Sequence, residues 1–313
     1  MEKFKIGDIV ARISYGCDVL FKIVGFSNSQ ADLVGLTVRI IANAPENDLK
    51  HISKDEVRRY EEKMEKTRRV RMDRCYNSIN RKFKNMGYNN YGYKKNNYNC
   101  NHNYYSNFNN KIRDVIENDI PNIYKKDTVL KRPGVVLHLD GDKDFYTKCK
   151  ENYARMGITA YTYYIPENEQ YRQVYPLLQK IRPNILILTG HDAFIKKRND
   201  IYNIENYKNS KYYIKAVLEA RRYEHNLDNL VIFAGACQSY YEALIAAGAN
   251  FASAPRRVLI DMMDPLIVAQ AVAYTSVNEF VSLENIISNT REGINGVGGT
   301  ETRGQLRKIL PSL

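Results

Sequence analysis

The chain has 313 residues, about twice the usual length of one domain, which favours two folded units with additional material. It is 44% apolar and 26% charged, and it lacks an apolar run of about 18 residues, so a membrane span is excluded and a soluble protein is expected. The charged N-terminus lacks the apolar stretch of a secretory signal, which favours a cytoplasmic protein. Five widely spaced cysteines without a C-x-x-C pair predict neither a disulfide framework nor a zinc site.

Residues 1–60 contain short runs of β-branched and aromatic residues, namely DIVARISY, DVLFKIVGF and LTVRIIAN, broken by Gly7, Gly16, Gly25 and Gly35. This rhythm predicts a small SH3-like β-barrel. Because such barrels serve many roles, the pattern indicates a docking module and no particular activity.

Residues 61–128 hold 15 basic and 8 acidic side chains, the largest share of the net charge of +12. Within them, residues 76–110 contain 13 Asn and 7 Tyr and almost no Leu, Ile or Val. Such a segment buries too little apolar area to offset the entropy of ordering it, so we predict a basic, largely disordered linker. Basic residues among aromatics also suit single-stranded nucleic acid, but no RNA-binding signature accompanies them and nucleic acid is not the expected partner.

Residues 129–313 alternate apolar runs with helical stretches. The runs are 135–140, 158–165, 184–190, 229–235 and 250–254, and the helical stretches lie near 144–156, 171–182, 210–226 and 239–247. This alternation predicts an α/β fold with a parallel sheet covered by helices on both faces, although Pro176 is expected to interrupt the second helix unless it lies in the first turn. In such sheets ligands and chemistry collect at the carboxyl ends of the strands.

Three predicted strands end in reactive side chains, in the sequences HLDGD (138–142), TGHD (189–192) and GACQS (235–239). Cys237 is expected near the N-terminus of a helix that starts near Ser239, which favours a thiolate; a buried cysteine that acts as a small hydrophobic residue is the alternative. A thiol nucleophile needs an imidazole base, and His191 is the best placed of five histidines if the third and fourth strands are neighbours. No histidine follows Cys237, which excludes papain-like proteases and glutamine amidotransferases.

The His191 and Cys237 motifs, 46 residues apart, resemble those of caspase-like (caspase–haemoglobinase) cysteine peptidases, which usually read His-Gly where this chain reads Gly190-His191-Asp192. The segments GDIVARISY, ILILTGHDAF, FAGACQSYYEALIAAGANFASAP, VLIDMMDPL and GVGGTETRG are similar to the YabG family of sporulation-specific proteases; the Asn/Tyr tract is not. The resemblance implies a caspase-like α/β domain and a cysteine endopeptidase of the mother-cell cytoplasm, with retention in the spore coat as an option. It also implies cleavage after Arg in spore coat and germination-related proteins, and self-cleavage.

Under this resemblance, His191 takes the proton of Cys237, and the thiolate forms an acyl-enzyme that water hydrolyses. The expected oxyanion donors are the backbone N–H of Cys237 and that of Gly190 or Asp192. The mechanism needs no metal and no other cofactor.

Cleavage after Arg requires a buried carboxylate that pairs with the guanidinium. In Arg-selective relatives such acids come from the end of the first strand and from the loop after the cysteine strand, and the candidates here are Asp140, Asp142, Asp261 and Asp264. Each is also interpretable as a surface carboxylate or a helix cap; Asp264 before Pro265 suits a cap well.

Residues 65–74 of the predicted linker are rich in arginine. Proteolysis concentrates in chain that lacks packed structure, so self-cleavage is predicted after Arg68, Arg69, Arg71 and Arg74.

Two other classes of function remain open at this point. Asp140 and Asp142 could hold Mg²⁺ in a phosphohydrolase of the haloacid-dehalogenase type, although Asp144 stands where that motif has Thr or Val. Alternatively, the barrel and the basic tract could bind RNA or spore-surface proteins without catalysis. The sequence does not define the substrates, the oligomeric state or the role of the barrel.

Overall fold

The computed structural model describes residues 4–85, 130–195 and 200–309. In these ranges the strands are β1 (Ile9–Arg12), β2 (Leu20–Ser27), β3 (Gln30–Gly35), β4 (Ile41–Ala44), β5 (Leu49–His51), β6 (Leu130–Arg132), β7 (Val136–Asp140), β8 (Ala160–Tyr164), β9 (Ile185–Thr189), β10 (Val231–Ala234), β11 (Phe251–Ser253), β12 (Val297–Gly299) and β13 (Arg307–Ile309). The α-helices are α1 (Lys54–Asn85), α2 (Lys143–Arg155), α3 (Glu167–Ile181), α4 (Ser210–Tyr223), α5 (Tyr241–Ala246), α6 (Asp264–Tyr274) and α7 (Leu283–Ile287). Within the same ranges, no helix combines the length and apolarity that a bilayer crossing requires.

The first five strands form one antiparallel sheet in the order β4-β3-β2-β1-β5, called here the N-terminal sheet. Alternate residues of its strands are buried, among them Val10, Ile23 and Leu33, so one face of the sheet covers an apolar core. The pairing of β2 with β3 shifts register between Ile23 and Gly25, which is a β-bulge.

The second sheet has six strands in the order β12-β11-β10-β9-β7-β8. Strands β7 to β11 are parallel and β12 pairs antiparallel with β11. Alternate residues point to opposite faces: Val136 and Ile187 pack with α2 and α6, whereas Leu137 and Leu188 pack with α3, α4 and α5. The fold is therefore mixed α/β with a largely parallel sheet flanked by helices.

Strands β9 and β10 are neighbours, as the site hypothesis required, with Leu188 opposite Ala234. Both strands are parallel and end at the same edge of the sheet, which carries His191 and Cys237 in the following turns. The fold thus brings the two motifs to one edge.

The predicted linker begins inside α1, because residues 61–85 are helical, whereas residues 86–129 lie outside the described residues. The start of α1 is a capping box: the Ser53 hydroxyl accepts from the Glu56 N–H (3.3 Å) and the Glu56 carboxylate accepts from the Ser53 N–H (2.9 Å). Many Glu, Lys and Arg residues follow, and these side chains favour helix. The prediction of a disordered linker rested on the Asn/Tyr-rich composition of residues 76–110, and it was wrong for residues 61–85, which belong to α1.

Helix α3 continues through Pro176, which was expected to interrupt it. Pro176 is exposed, and so is Arg172, the residue whose carbonyl loses its helical hydrogen bond. Val174 and Leu178 on the other side of the helix are fully buried. Their packing against the sheet offsets the cost of the proline.

Candidate active site

The connection between β3 and β4 enters the cleft at the carboxyl edge of the parallel sheet. We call residues 37–41 the Arg39 segment. Val38 forms an antiparallel bridge with Asp261, and Ile40 forms a parallel bridge with Asp192. The segment is therefore held between the loop that follows β9 and the loop that precedes α6.

Backbone hydrogen bonds pair the Arg39 segment with residues 260–262. The N–H of Arg39 donates to the Ile260 carbonyl (3.4 Å), and the N–H of Met262 donates to the Thr37 carbonyl (3.2 Å). This alternation is that of an added antiparallel strand, the mode in which many proteins bind extended peptides.

The guanidinium of Arg39 is fully buried and lies against Asp140 at the end of β7. Its Nη1 and Nη2 atoms donate to the two carboxylate oxygens of Asp140, at 3.0 Å and 2.9 Å. The Met262 carbonyl accepts from Nη2 at 2.9 Å, and the guanidinium carbon lies 5.0 Å from the centre of the Phe145 ring. Burial acts to raise the pKa of Asp140, but the neighbouring Arg39 guanidinium, by its charge and its hydrogen bonds, holds the pKa well below its usual value.

The carbonyl oxygen of Arg39 accepts two backbone hydrogen bonds, from the N–H of Cys237 (3.1 Å) and from the N–H of Asp192 (3.2 Å). Two converging N–H groups beside a thiol form the arrangement that stabilises an oxyanion in acyl transfer. Of the two alternatives that the sequence left open beside Cys237, the structure brings the N–H of Asp192 to this oxygen. Gly190 instead presents its carbonyl to Nη1 of Arg39, at 3.4 Å.

The thiol of Cys237 is fully buried, in one apolar cluster with Val38, Ile40 and Ile260. The N–H of Ile260 donates to Sγ at 3.2 Å. Burial raises the pKa of Cys237 to about 12, so the sulfur is a protonated thiol at neutral pH while the Arg39 segment is in place. The expectation of a thiolate also assumed a helix from about Ser239, whereas α5 begins at Tyr241.

The imidazole of His191 is buried beside the same cleft. Its backbone N–H donates to Oε1 of Glu167 (2.7 Å). The ring atom Nε2 has no hydrogen-bond partner and lies 3.9 Å from Oδ2 of Asp142. Burial lowers the pKa of His191, which keeps the ring neutral. No hydrogen bond joins His191 to Cys237, two residues that the structure describes in full.

The carboxylate of Asp192 ties the two loops together. Its Oδ2 accepts from the hydroxyl of Ser210 (2.5 Å) and from that of Ser239 (2.9 Å), two residues beyond Cys237. Burial raises the pKa of Asp192 to about 6. Asp192 therefore fixes the turn that carries Cys237 relative to the turn that carries His191.

The other acids proposed for arginine binding have different partners. Asp142 caps α2 by accepting from the Phe145 N–H (2.7 Å). Asp261 accepts from Nε of Arg68 (2.9 Å), and Asp264 accepts from the Asp261 N–H (2.8 Å). Among these described acids, Asp140 is the one that hydrogen-bonds Arg39.

The four arginines proposed for self-cleavage all lie on α1. Arg68 and Arg71 face the α/β half, where Arg68 is buried against Asp261 and Arg71 lies 3.6 Å from Asp264. Arg69 and Arg74 point to solvent. A peptidase cleft takes extended chain, so cleavage after any of the four requires local unwinding of α1.

His138, Asp140 and Cys149 bring one possible metal-ligand atom each within 4.8 Å of one another. The cation in this group is the guanidinium of Arg39, whose Nη2 also lies 3.8 Å from Sγ of Cys149. Burial holds the pKa of Cys149 far above its usual value, so the thiol stays protonated. This set does not fit Mg²⁺, which takes oxygen ligands.

Sequence reasoning missed Arg39 and Glu167. Arg39 stands inside the apolar run LTVRIIAN, and a charge in the middle of such a run was the available signal. Glu167 follows Pro166 at the start of α3, a position that is also typical of an ordinary exposed acid in the first turn of a helix.

An α/β sheet edge that holds an extended segment by an arginine side chain and by its carbonyl oxygen, beside a buried thiol, has the features of a peptidase site. The family model described as YabG peptidase U57 matches residues 5–311. The chain is also 36% identical over 315 residues to the sporulation-specific protease YabG of Bacillus subtilis (strain 168), covering 99% of this chain and 98% of that protein. The chain therefore belongs to the YabG peptidase U57 family of sporulation-associated proteases. No solved structure matches it.

Proposed function

We propose that this chain is a cysteine endopeptidase that cleaves after arginine in spore coat and germination-related proteins. His191 and Cys237 are its catalytic dyad, and Asp140 binds the arginine side chain. One observation carries the proposal: Arg39 pairs with Asp140 through Nη1 and Nη2 while its carbonyl oxygen accepts from the N–H of Cys237. The segment thus offers a template for a bound substrate.

In this mechanism the substrate arginine takes the position of Arg39. Its carbonyl is polarised by the N–H groups of Cys237 and Asp192, which become the oxyanion donors. His191 accepts the thiol proton, Sγ attacks the carbonyl carbon, and the same imidazole gives the proton to the leaving amine. Water then hydrolyses the thioester and returns the thiol. Asp192 acts as a positioning residue through Ser210 and Ser239.

The burial and geometry of Asp140 support the choice of arginine. The carboxylate is fully buried, and a planar guanidinium satisfies both of its oxygens at once. A lysine ammonium would reach the same carboxylate as a point charge and leave part of the hydrogen-bonding geometry unused.

The test is a paired digestion of matched peptides that differ in Arg or Lys, by wild type and by the Cys237→Ala and His191→Ala variants. We expect cleavage after Arg by wild type and loss of cleavage in both variants. Equal cleavage by Cys237→Ala, or no preference for Arg over Lys, would remove the proposal. Iodoacetamide inactivation with unchanged activity in EDTA would separate this enzyme from a magnesium-dependent one.

Self-cleavage in the basic region forms part of the proposal, with Arg69 and Arg74 as the exposed sites of α1. Incubation of purified chain and mapping of new N-termini tests it. New termini after these arginines are expected in wild type; intact chains in an active preparation would contradict it.

We further propose that the α/β half is caspase-like and that the N-terminal sheet is an SH3-like barrel. The order β8-β7-β9-β10-β11, with histidine and cysteine after adjacent strands, supports the first idea. Five antiparallel strands with a β-bulge support the second. The mother-cell cytoplasm and the spore coat are the proposed locations.

A further inference from the structure

We propose that the peptide bond between Arg39 and Ile40 is the first bond that this enzyme cleaves, within its own chain, and that the uncleaved Arg39 segment blocks the cleft as an internal substrate. The inference deepens the proposed function and rests on it. The Arg39 segment would occupy the position that a substrate must take, and the bond between Arg39 and Ile40 would be a self-cleavage site outside the basic region.

The first argument is the number of independent substrate-like contacts that meet at one residue. A buried Arg–Asp pair by itself is a common structural feature. Here the carbonyl of the same arginine also accepts from the N–H of Cys237 and from that of Asp192. Together these contacts fix the Arg39 carbonyl beside the thiol.

The second argument is backbone pairing on both sides of the bond. Before it, the N–H of Arg39 and the carbonyl of Thr37 pair with residues 260–262. After it, the N–H of Ile41 donates to the Asp192 carbonyl at 3.3 Å. Backbone pairing therefore holds the chain on both sides of the Arg39–Ile40 bond, as it would hold an extended substrate.

The third argument is that the segment excludes every other substrate. Asp140 has both oxygens engaged by Arg39, and the Cys237 thiol is fully buried in the cluster that contains Val38 and Ile40. A second peptide can reach neither group while the segment stays in place. Helix α1 adds a restraint, since Nη2 of Arg68 donates to the Thr37 carbonyl at 3.1 Å.

The reaction uses the two catalytic residues of the proposed function and requires the imidazole of His191 to come within reach of Sγ. Sγ of Cys237 forms a bond to the Arg39 carbonyl carbon, the bond to the Ile40 nitrogen breaks, and the thiol proton passes through His191 to that nitrogen. Water then hydrolyses the thioester, which gives Arg39 a carboxylate and regenerates the thiol. The product has a new amino terminus at Ile40, and Arg39 is no longer tethered on its carboxyl side.

The experiment follows purified full-length chain with time, by intact mass and N-terminal sequencing, while a fluorogenic Arg peptide reports activity. The chains are wild type, Cys237→Ala, Arg39→Gln and the control Arg58→Gln, whose side chain is 70% exposed in the same half of the chain. Arg39→Gln leaves the fully buried Asp140 without its cation, so the folding of this variant is verified before the assay.

We expect an Ile40 terminus in wild type and in Arg58→Gln, but not in Cys237→Ala. Its first-order rate constant should change less than about twofold on roughly tenfold dilution, since the bond is cut within its own chain. Peptidase activity should rise with the same time course. Arg39→Gln should lack the Ile40 terminus and cleave the peptide without a lag.

Two results would overturn the proposal. They differ in whether the proposed peptidase activity is rejected as well. If wild type cleaves the Arg peptide at full rate from the start and no Ile40 terminus forms, the internal-substrate role is wrong and the proposed peptidase activity stands. If neither wild type nor Arg39→Gln cleaves the Arg peptide, the proposed function fails and the inference falls with it. If Arg39→Gln does not fold, the lag in wild-type peptidase activity and the dilution series of wild type still test the proposal.

Discussion

At the residue scale, the proposed function gives Asp140 the role of selecting the substrate side chain. Its carboxylate is fully buried, ionised and paired through both oxygens, so removing its charge leaves a guanidinium without a partner in a dry pocket. Replacing Asp140 with a neutral residue should therefore reduce the cleavage of arginine substrates and should change the protein's surface very little.

We predict that Asp140→Asn lowers kcat/KM for an Arg peptide by roughly 100-fold, since truncating one partner of a buried charge pair costs about 2–5 kcal/mol. The ratio of Arg to Lys cleavage is the measurement, because it does not depend on how much of the enzyme is active. Asp144→Asn, whose side chain is 74% exposed at the second residue of α2, is the control. A retained ratio in Asp140→Asn would show that another acid binds the arginine.

Glu167 gives a prediction about pH. Burial raises its pKa from 4.5 to about 7, and the negative charges of Asp140 and Asp192 add to the shift. Because the folded state holds this proton more tightly than the unfolded state, the stabilisation is full below about pH 4.5 and is lost as the pH rises through about 7.

We predict that Glu167→Gln is increasingly more stable than wild type as the pH rises from about 4.5 to 7, by up to about 3 kcal/mol in the free energy of unfolding. Glutamine keeps an oxygen that can accept from the His191 N–H. Urea unfolding across this pH range measures the difference, with Glu169→Gln on the same helix as the exposed control. Parallel pH curves for wild type and Glu167→Gln would contradict the shift.

The sequence predicted the part of this site that follows from the order of the strands along the chain. Histidine and cysteine after successive apolar strands identified the sheet edge, because strand order constrains where strand ends meet. Arg39 and Glu167 come from a strand connection and a helix start whose position depends on packing between distant parts of the chain. No local pattern encodes that packing.

At the element scale, α1 contributes restraint as well as connection. It starts at a capping box that the sequence S-x-x-E signals, but its docking depends on a buried contact 193 residues away, between Arg68 and Asp261. The composition of residues 61–85 is compatible with either an extended or a helical state. Tertiary pairing with the α/β half explains why the helix is packed there.

We predict that Arg68→Met lowers the free energy of unfolding by about 3 kcal/mol, because it leaves the buried carboxylate of Asp261 without its closest cation. Arg69→Met changes the neighbouring exposed arginine and should have an effect within about 0.5 kcal/mol. Urea unfolding in the Cys237→Ala background compares them. Equal effects of the two substitutions would show that α1 is not held through Arg68.

At the scale of the whole molecule, the two sheets share one core. Val38 and Ile40 from the N-terminal half belong to the same buried cluster as Ala193, Cys237 and Ile260 from the α/β half. The sequence predicted β1, β2 and β4 of the N-terminal sheet and β7 to β11 of the second sheet, but not β3, β5 or β12. It also did not predict the shared core, because that core is formed by a strand connection that inserts into the other half. A shared core implies that the halves unfold together.

We therefore predict that damage to the N-terminal sheet exposes a thiol in the α/β half. Ile23→Ala removes a fully buried side chain and should cost about 3 kcal/mol, which is a factor of roughly 100 in the unfolded population. Alkylation of Cys149, on the buried face of α2, should accelerate by a similar factor in the Cys237→Ala background. Val24→Ala changes the adjacent residue, which is 46% exposed, and should leave the rate nearly unchanged. If Ile23→Ala also leaves Cys149 as protected as before, while the N-terminal sheet itself opens in hydrogen exchange, the halves unfold independently and the Arg39 segment can withdraw from the cleft without cleavage.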